Sequence, residues 1–354
     1  MSQSTGHPNS TIGPMVRLRG LPYSALPLGG IGIHPDGTEE KLNTNTQIHP
    51  TRGAEAFITD VLRESSLFID GMGLDDSWDL DKRSTTLFGK KRILFLKRVI
   101  PARDINRRRV YSQLPLVDNK EVWYARRSFH DNQDTRGSAT WDQVTVDIKE
   151  NHALTEEAVS DDVTAKQCMR WNTNNLIVDS GGEQWNNITM AVVEMRHKMP
   201  VIINKRTFPV VLITASPGSS NGNEFLVISI PIIDFETTTW AQLSKEKKQV
   251  VAAYAAIEQF RILPQGEIEW TMATTSNPKG SVARILTCIE GTAMPRVIRK
   301  DIKMYMKWVQ RRRTGDEQPE QAQQQRPSLF ARGNTFLRNQ FRMLSREAVI
   351  PPRN

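Results

Sequence analysis

Apolar positions recur with helical spacing at two distant places in this chain and with strand spacing between them. From Gly53, the run AEAFITDVLRESSLFIDGM places Phe57, Val61, Leu62 and Phe68 on one face, the i, i+3/i+4 signature of an amphipathic helix. Gly71-Met72-Gly73 should stop it. At the far end, Met294, Val297, Ile298, Ile302, Tyr305, Met306 and Val309 repeat the spacing, with Arg296, Arg299, Lys300, Lys303 and Lys307 mostly between them. Shorter helical segments are predicted from Trp141 to Val146, with Thr140 or Ser138 as N-cap, and from Ala165 to Trp171.

Strand patterns fill the space between. Glu121 to His130 (EVWYARRSFH) is dense in aromatic and β-branched residues. Alternation places Trp123, Ala125, Arg127 and Phe129 on one face and Tyr124, Arg126 and Ser128 on the other. From Ile188 the strands come quickly: TMAVVEMRHKM, then Lys205 to Ala215, Glu224 to Ile232, Tyr254 to Leu263 and Glu267 to Thr275. Turn residues separate them and no helical pattern intervenes, so they read as an antiparallel meander. The Gly/Ser-rich run Pro217 to Asn223 is a hairpin loop. A meander closed by one long helix is an α+β pattern.

The first 52 residues, rich in Gly, Pro, Ser, Thr and Asn, read as irregular. Gly29-Gly30-Ile31-Gly32 looks like a phosphate loop, but no strand precedes it and Pro35 follows where a helix should start. Asp75, Asp76, Asp79 and Asp81 lack the glycine and glutamate of a calcium loop and read as a solvated acidic turn. Lys90 to Arg109 carries nine basic residues and reads as a basic edge strand followed by a basic loop. The domain reading is therefore an irregular segment at 1–52, one domain at 53–313, and a Gln- and Arg-rich tail at 314–354 expected to be disordered. Within that tail, Leu329 to Met343 reads as a basic amphipathic element.

Charge and cysteine content narrow the partners. A formal net charge of +8 favours anionic partners, and the run around Lys90–Arg109 suits an anionic membrane surface. The basic runs lack interleaved aromatics, so nucleic acid is not expected. Cys168 and Cys288 sit far apart in apolar contexts, which suggests a reducing, cytoplasmic setting and gives no zinc site. The N-terminus shows no secretory pattern, and no run of about 20 apolar residues is present. No nucleophile elbow, Walker loop or H-E-x-x-H occurs, and His152 and His197 read as structural. Neither metal nor cofactor is expected, and the chain is expected to be a monomer.

Four passages, in order, resemble a known family: WYARRSFH (Trp123–His130), MAVVEMRHKMP with NKRTFPVV (Met190–Val211), FLVISIPI (Phe225–Ile232), and EWTMATTSNPKGSVARIL to KDIKMYMKWV (Glu269–Val309). They are similar to the steroidogenic-acute-regulatory-protein-related lipid transfer (START) class, and within it to fungal START-like proteins grouped as domain of unknown function 3074. The loop at Pro217–Asn223 and the basic insertion near Arg107 depart from the pattern. The resemblance implies a helix-grip fold: a curved antiparallel sheet wrapped around the C-terminal helix, with an apolar tunnel between them. It implies a non-catalytic lipid-binding or lipid-transfer protein, its partner a lipid or other apolar small molecule. The implied wall comprises Trp123, Arg127, Phe129, Met195, Phe208, Trp270, Val297, Ile298, Ile302, Tyr305 and Met306, with Pro278, Gly280 and Gly291 as gate or hinge. Two other readings stand beside it. A solid interior filled by Met304, Met306 and Trp308 would make the fold an interaction scaffold, whereas a buried polar cluster around Arg127, Glu194 or His197 would suit an enzyme of hydrolase or cyclase type. A cavity of ~300–1,000 Å³ would favour a ligand.

Overall fold

The computed structural model describes residues 13–41, 53–72, 77–87, 91–111, 114–198, 204–279 and 293–315, with side chains outside 81–92 and 293–300. The proposed hinges Gly280 and Gly291, the cysteine Cys288, the acidic Asp75 and Asp76, and the tail beyond residue 315 lie outside the described residues. So do the side chains of Val297 and Ile298.

Thirteen strands among the described residues form one sheet. In chain order they are β1 (Gly30–Ile33), β2 (Glu39–Lys41), β3 (Asp79–Leu87), β4 (Lys91–Ile100), β5 (Glu121–His130), β6 (Val163–Trp171), β7 (Val178–Ser180), β8 (Glu183–His197), β9 (Lys205–Pro217), β10 (Glu224–Pro231), β11 (Gln249–Val251), β12 (Ala253–Ile262) and β13 (Ile268–Asn277). The spatial order is β2-β1-β6-β8-β9-β10-β12-β13-β5-β4-β3, with β7 paired to β8 and β11 to β9. The pairings along that path are antiparallel, and β11 on β9 is parallel. This is the curved antiparallel sheet with a C-terminal helix that the family resemblance implied, and the α+β class that the strand pattern predicted. The helices are α1 (Ala54–Asp70), α2 (Ala102–Arg107), α3 (Trp141–Val144), α4 (His152–Val159) and α5 (Ala293–Thr314), and a π-helical turn (Thr145–Glu150) joins α3 to α4.

Both faces of the sheet are covered, which explains why central strands read as nearly unbroken apolar runs. In β10, Leu226, Ile228 and Ile230 belong to one core and Phe225 and Val227 to the other. The first core lies under α1 and the N-terminal segment. There Phe57, Ile58, Val61, Leu62, Phe68 and Ile69 are fully buried, each stabilising by roughly 1.5–3 kcal/mol. The second core lies between the sheet and the α3–α4 and α5 helices. Thr140 caps α3 with a reciprocal capping box to Gln143.

Five expectations need correction. Ala165–Trp171 is strand β6, not a helix. A bulge between Gln167 and Met169 buries Cys168 and Met169 in succession, and this breaks the alternation that would have marked a strand. The basic strand β4 is not an edge strand: β3 pairs outside it, with Asp79 opposite Lys97. Asp79 and Asp81 thus belong to a strand rather than a turn, and the basic loop beyond β4 is helix α2, anchored by buried Ile105. The N-terminal segment is not irregular throughout, because β1 pairs with β6 and Met15, Val16, Leu21 and Leu26 are buried. Among the glycines that mimic a phosphate loop, Gly32 serves packing, since a Cβ there would sit 2.3 Å from the Trp240 ring, and Gly29 adopts a positive φ of 84°.

That N-terminal segment is held by Glu64 on α1. Its carboxylate accepts the backbone N–H of Met15 (2.9 Å to Oε2) and of Val16 (3.1 Å). Burial raises its pKa to about 7, against the opposing pull of those hydrogen bonds and Arg17. A pKa raised on folding contributes stability that is complete below pH ~4.5 and is lost as pH rises through ~7. Urea titrations across that window should therefore show wild-type stability falling by up to ~3 kcal/mol from this group. Glu64→Gln should remove that part of the slope, and an unchanged slope would refute the assignment.

Candidate functional site

The site sits in the second core, where α4 and α5 close over the sheet. Its floor comes from three adjacent strands. Arg126 on β5 stands opposite Met272 on β13, which in turn stands opposite Glu258 on β12. Trp270, two residues before Met272, shares that face. From above come His152 and Glu156 on α4, one turn apart, and Asp301 and Tyr305 on α5, also one turn apart. Together with apolar Ile148 and Val159 they line a small cavity of about 30 Å³.

Arg126 is the unusual member. It is fully buried and reaches over the Trp270 ring, 3.9 Å from guanidinium carbon to ring centroid. Its Nη1 donates to Ser128 Oγ at 3.1 Å, while Nε and Nη2 have no hydrogen-bond partner among the described residues. Burial brings its pKa down to about 10, against the attraction of Glu258 and Asp301. Glu258 accepts Trp270 Nε1 at 2.9 Å, and its other oxygen is 3.9 Å from His152 Nε2. Burial pushes the Glu258 carboxyl up, opposed by Arg126 and by the Trp270 bond. His152 Nδ1 donates to the carbonyl of Ile148 at 2.7 Å, so the ring turns Nε2 toward the cavity.

Aromatic rings form a continuous wall behind this group. Phe225 stacks on Phe260 and Phe260 on Trp270, with centroids 4.8 Å apart in both pairs, and Trp270 meets Tyr305 edge-on at 6.0 Å. The C-terminal half of α5 is pinned. Arg312 forms a bidentate pair with buried Asp147 at 2.7 and 2.9 Å, and the Tyr305 hydroxyl donates to the same carboxylate at 3.1 Å. Arg313 donates to the carbonyls of Thr135 and Ser138. Asp147 can meet both partners because the π-helical turn aims it inward; an extra backbone residue in the turn re-aims side chains this way.

Of the residues expected on the wall, Trp270 and Tyr305 border the cavity. Ile302, Met306, Met195 and Phe208 lie in the same core without bordering it. Trp123, Arg127 and Phe129 are on the wrong face of β5. Trp123 packs edge-on against Phe68 of α1 at 4.9 Å, and Arg127 donates to the Met72 carbonyl and lies 3.4 Å from Glu269. The two faces were separated correctly, but it is the Arg126 face that turns toward α5. Pro278 is buried and its carbonyl accepts Arg206 Nε at 3.0 Å. The polar group suggested around Arg127, Glu194 and His197 is dispersed. Glu194 clips the 242–244 loop, accepting from the backbone N–H of Gln242 and Ser244, while His197 packs edge-on against Phe208 across the sheet.

Arg126, His152, Glu258 and Asp301 were not anticipated. One signal for Glu258 is present in the sequence: a lone carboxylate at the centre of the apolar strand YAAIEQF must be solvated, paired or functional.

A family model described as Protein of unknown function (DUF3074) matches residues 123–309. The chain belongs to this family. The cavity-bordering residues, Arg126 through Tyr305, all fall inside the DUF3074 region. No curated protein matches the chain. Three solved human structures are similar in fold. STARD10 is 11% identical, with a TM-score of 0.40, covering 76% of this chain and 90% of its own. The StarD13 (DLC2) lipid transfer and protein localization domain is 8% identical, TM-score 0.36, covering 68% and 92%. StAR-related lipid transfer protein 5 is 10% identical, TM-score 0.38, covering 73% and 98%. No helix among the described residues is long and apolar enough to cross a membrane.

Proposed function

We propose that this protein is a non-catalytic carrier that holds one amphipathic ligand of lipid type between its sheet and α5, with Arg126 receiving the ligand's polar end. The observation that carries this reading is the buried guanidinium with two unpartnered nitrogens at the edge of a cavity walled by Trp270, Met272, Val159 and Tyr305. Burying a cation without full hydrogen bonding is costly, and an anionic or strongly accepting headgroup would offset that cost. Each methylene of an apolar tail would add about 0.8 kcal/mol against the aromatic wall. The space of about 30 Å³ holds roughly two waters. A lipid therefore enters only if α5 swings away, with the Asp147–Arg312 pair as fulcrum. The basic surface on β4 and α2 would rest on anionic membrane during exchange, with the protein cytoplasmic and monomeric.

The small cavity also favours a second reading, an interaction scaffold with a filled interior. Native mass spectrometry with lipid extraction separates the two. Wild type should retain or take up a fatty acid, sterol or phospholipid. Arg126→Met should weaken retention of anionic ligands by ~10-fold or more and spare neutral ones. Wild-type protein that takes up none of these lipids would overturn the carrier and leave the scaffold.

A further inference from the structure

Arg126, Ser128 and His130 alternate along β5 and so share the face that meets α5. Ser128 stands opposite Trp270 on β13, and its hydroxyl donates to the Trp270 carbonyl at 3.1 Å. With that hydrogen committed, Oγ turns its two lone pairs to donors. It accepts Arg126 Nη1 at 3.1 Å, and His130 Nε2 lies 2.9 Å from the same oxygen. One nitrogen of the guanidinium is therefore anchored by a neutral acceptor, and the anchor does not consume its charge.

The two nitrogens left without a hydrogen-bond partner among the described residues, Nε and Nη2, are neighbours on one edge of the planar group. N–H bonds on that edge run side by side, at the spacing of the two oxygens of a carboxylate. The chain uses the same edge elsewhere: Arg170 holds Glu39 with Nε 3.0 Å from Oε1 and Nη2 2.7 Å from Oε2. That pair is partly exposed, whereas Arg126 is fully buried and borders the cavity under α5. The cavity, about 30 Å³, has room for roughly two waters, which suits a carboxylate better than a phosphate headgroup. Its border also carries Glu156, Glu258 and Asp301. A phosphate monoester brings a charge of about −1.5 to −2, and what one guanidinium does not neutralise would face those acidic groups. A single hydroxyl oxygen matches the parallel N–H pair less well than two oxygens do.

We propose that the polar end received by Arg126 is a carboxylate, so that the ligand is an apolar monocarboxylic acid, with Ser128 as the positioning residue that sets the guanidinium edge for it. This rests on the carrier reading above and narrows it to one class of ligand. A straight-chain fatty acid and a fused-ring acid present the same planar head.

The test titrates the full chain with oleic acid, lithocholic acid, oleyl alcohol, oleoyl lysophosphatidic acid and dioleoyl phosphatidylcholine, and reads binding by native mass spectrometry. At least one of the two acids should bind ~10-fold or more tightly than the alcohol and both phospholipids, and which acid does so tells a straight chain from a fused ring. Ser128→Ala should lose most of that preference and still bind the alcohol, and Ser128→Thr, which keeps the hydroxyl, should restore it. Thermal melts show whether the variants fold. If Ser128→Ala does not, Arg126→Lys replaces it: it keeps the charge without the planar edge and should lose the preference too. Alcohol or phospholipid bound as tightly as the acids, or a substituted protein with wild-type preference, would overturn the inference and leave a carrier of another ligand. No binding of any probe would overturn the carrier reading with it.

Discussion

Ile302→Asp is expected to detach α5 and cost more than ~4 kcal/mol of folding stability. Ile302 is fully buried on the α5 face that also carries Tyr305, Met306 and Val309. The substitution loses the transfer energy of an isoleucine, ~1.5–3 kcal/mol. It also places a second carboxylate in the core beside buried Asp301, and burying an added charge costs several kcal/mol more. Lys307→Asp, on the exposed face of the same helix, should change stability little. Urea unfolding and limited proteolysis between β13 and α5 would compare the two. Equal unfolding midpoints would mean that α5 is not packed on the sheet.

The parts of this fold that could be read from the sequence are those with uninterrupted period. The α1 and α5 stripes, β5, and the strands β8–β10, β12 and β13 keep their spacing over two or more turns or five or more residues. The elements that misled have a local reason to break it. In β6 the bulge at Gln167–Met169 places two core residues side by side, which imitates a helix. In β3 and β4, charged residues stand opposite each other across the strands, Asp79 against Lys97, and this charge density, with Asp79 and Leu80 exposed, hides the strands in the sequence. The site was harder to read for a different reason. Alternation separates the two faces of β5 but not which one meets α5, because both faces are buried and both carry an aromatic residue and an arginine. The choice is made by α1, whose Phe68 receives Trp123 and so leaves Arg126 to the cavity. No single strand contains that information.

The two ends of α5 are held differently, which would give the proposed opening a direction. Asp147 fixes the last turns through Arg312 and Tyr305, and Arg312 also lies over the Trp308 ring at 4.4 Å. The Asp301 end meets the site through the charge of Arg126. On the carrier reading proposed above, a ligand that neutralised Arg126 would weaken its attraction for Asp301, so that binding and movement of the Asp301 end would be coupled through one guanidinium.

Trp270→Ala should cost ~3–5 kcal/mol, the range for removing a large aromatic from a packed core. The indole is 6% exposed and touches the wall and the floor at once: Phe260 on one face, Tyr305 at its edge, Arg126 over the ring and Glu258 on its N–H. Removing it leaves a void and strips Arg126 of a desolvated cation–π contact worth about 2 kcal/mol. Trp270→Phe separates these contributions, since a phenyl ring still stacks but cannot donate to Glu258. The lost donor favoured the charged form of Glu258, so its folded pKa, already raised, rises further. Stability tied to a raised pKa is lost as pH increases. The deficit of Trp270→Phe against wild type should accordingly be small in acid, where Glu258 is protonated in both proteins, and should widen toward neutral and alkaline pH. Urea titrations at several pH values would show it. A deficit that stays constant with pH would mean that Glu258 does not depend on the indole N–H.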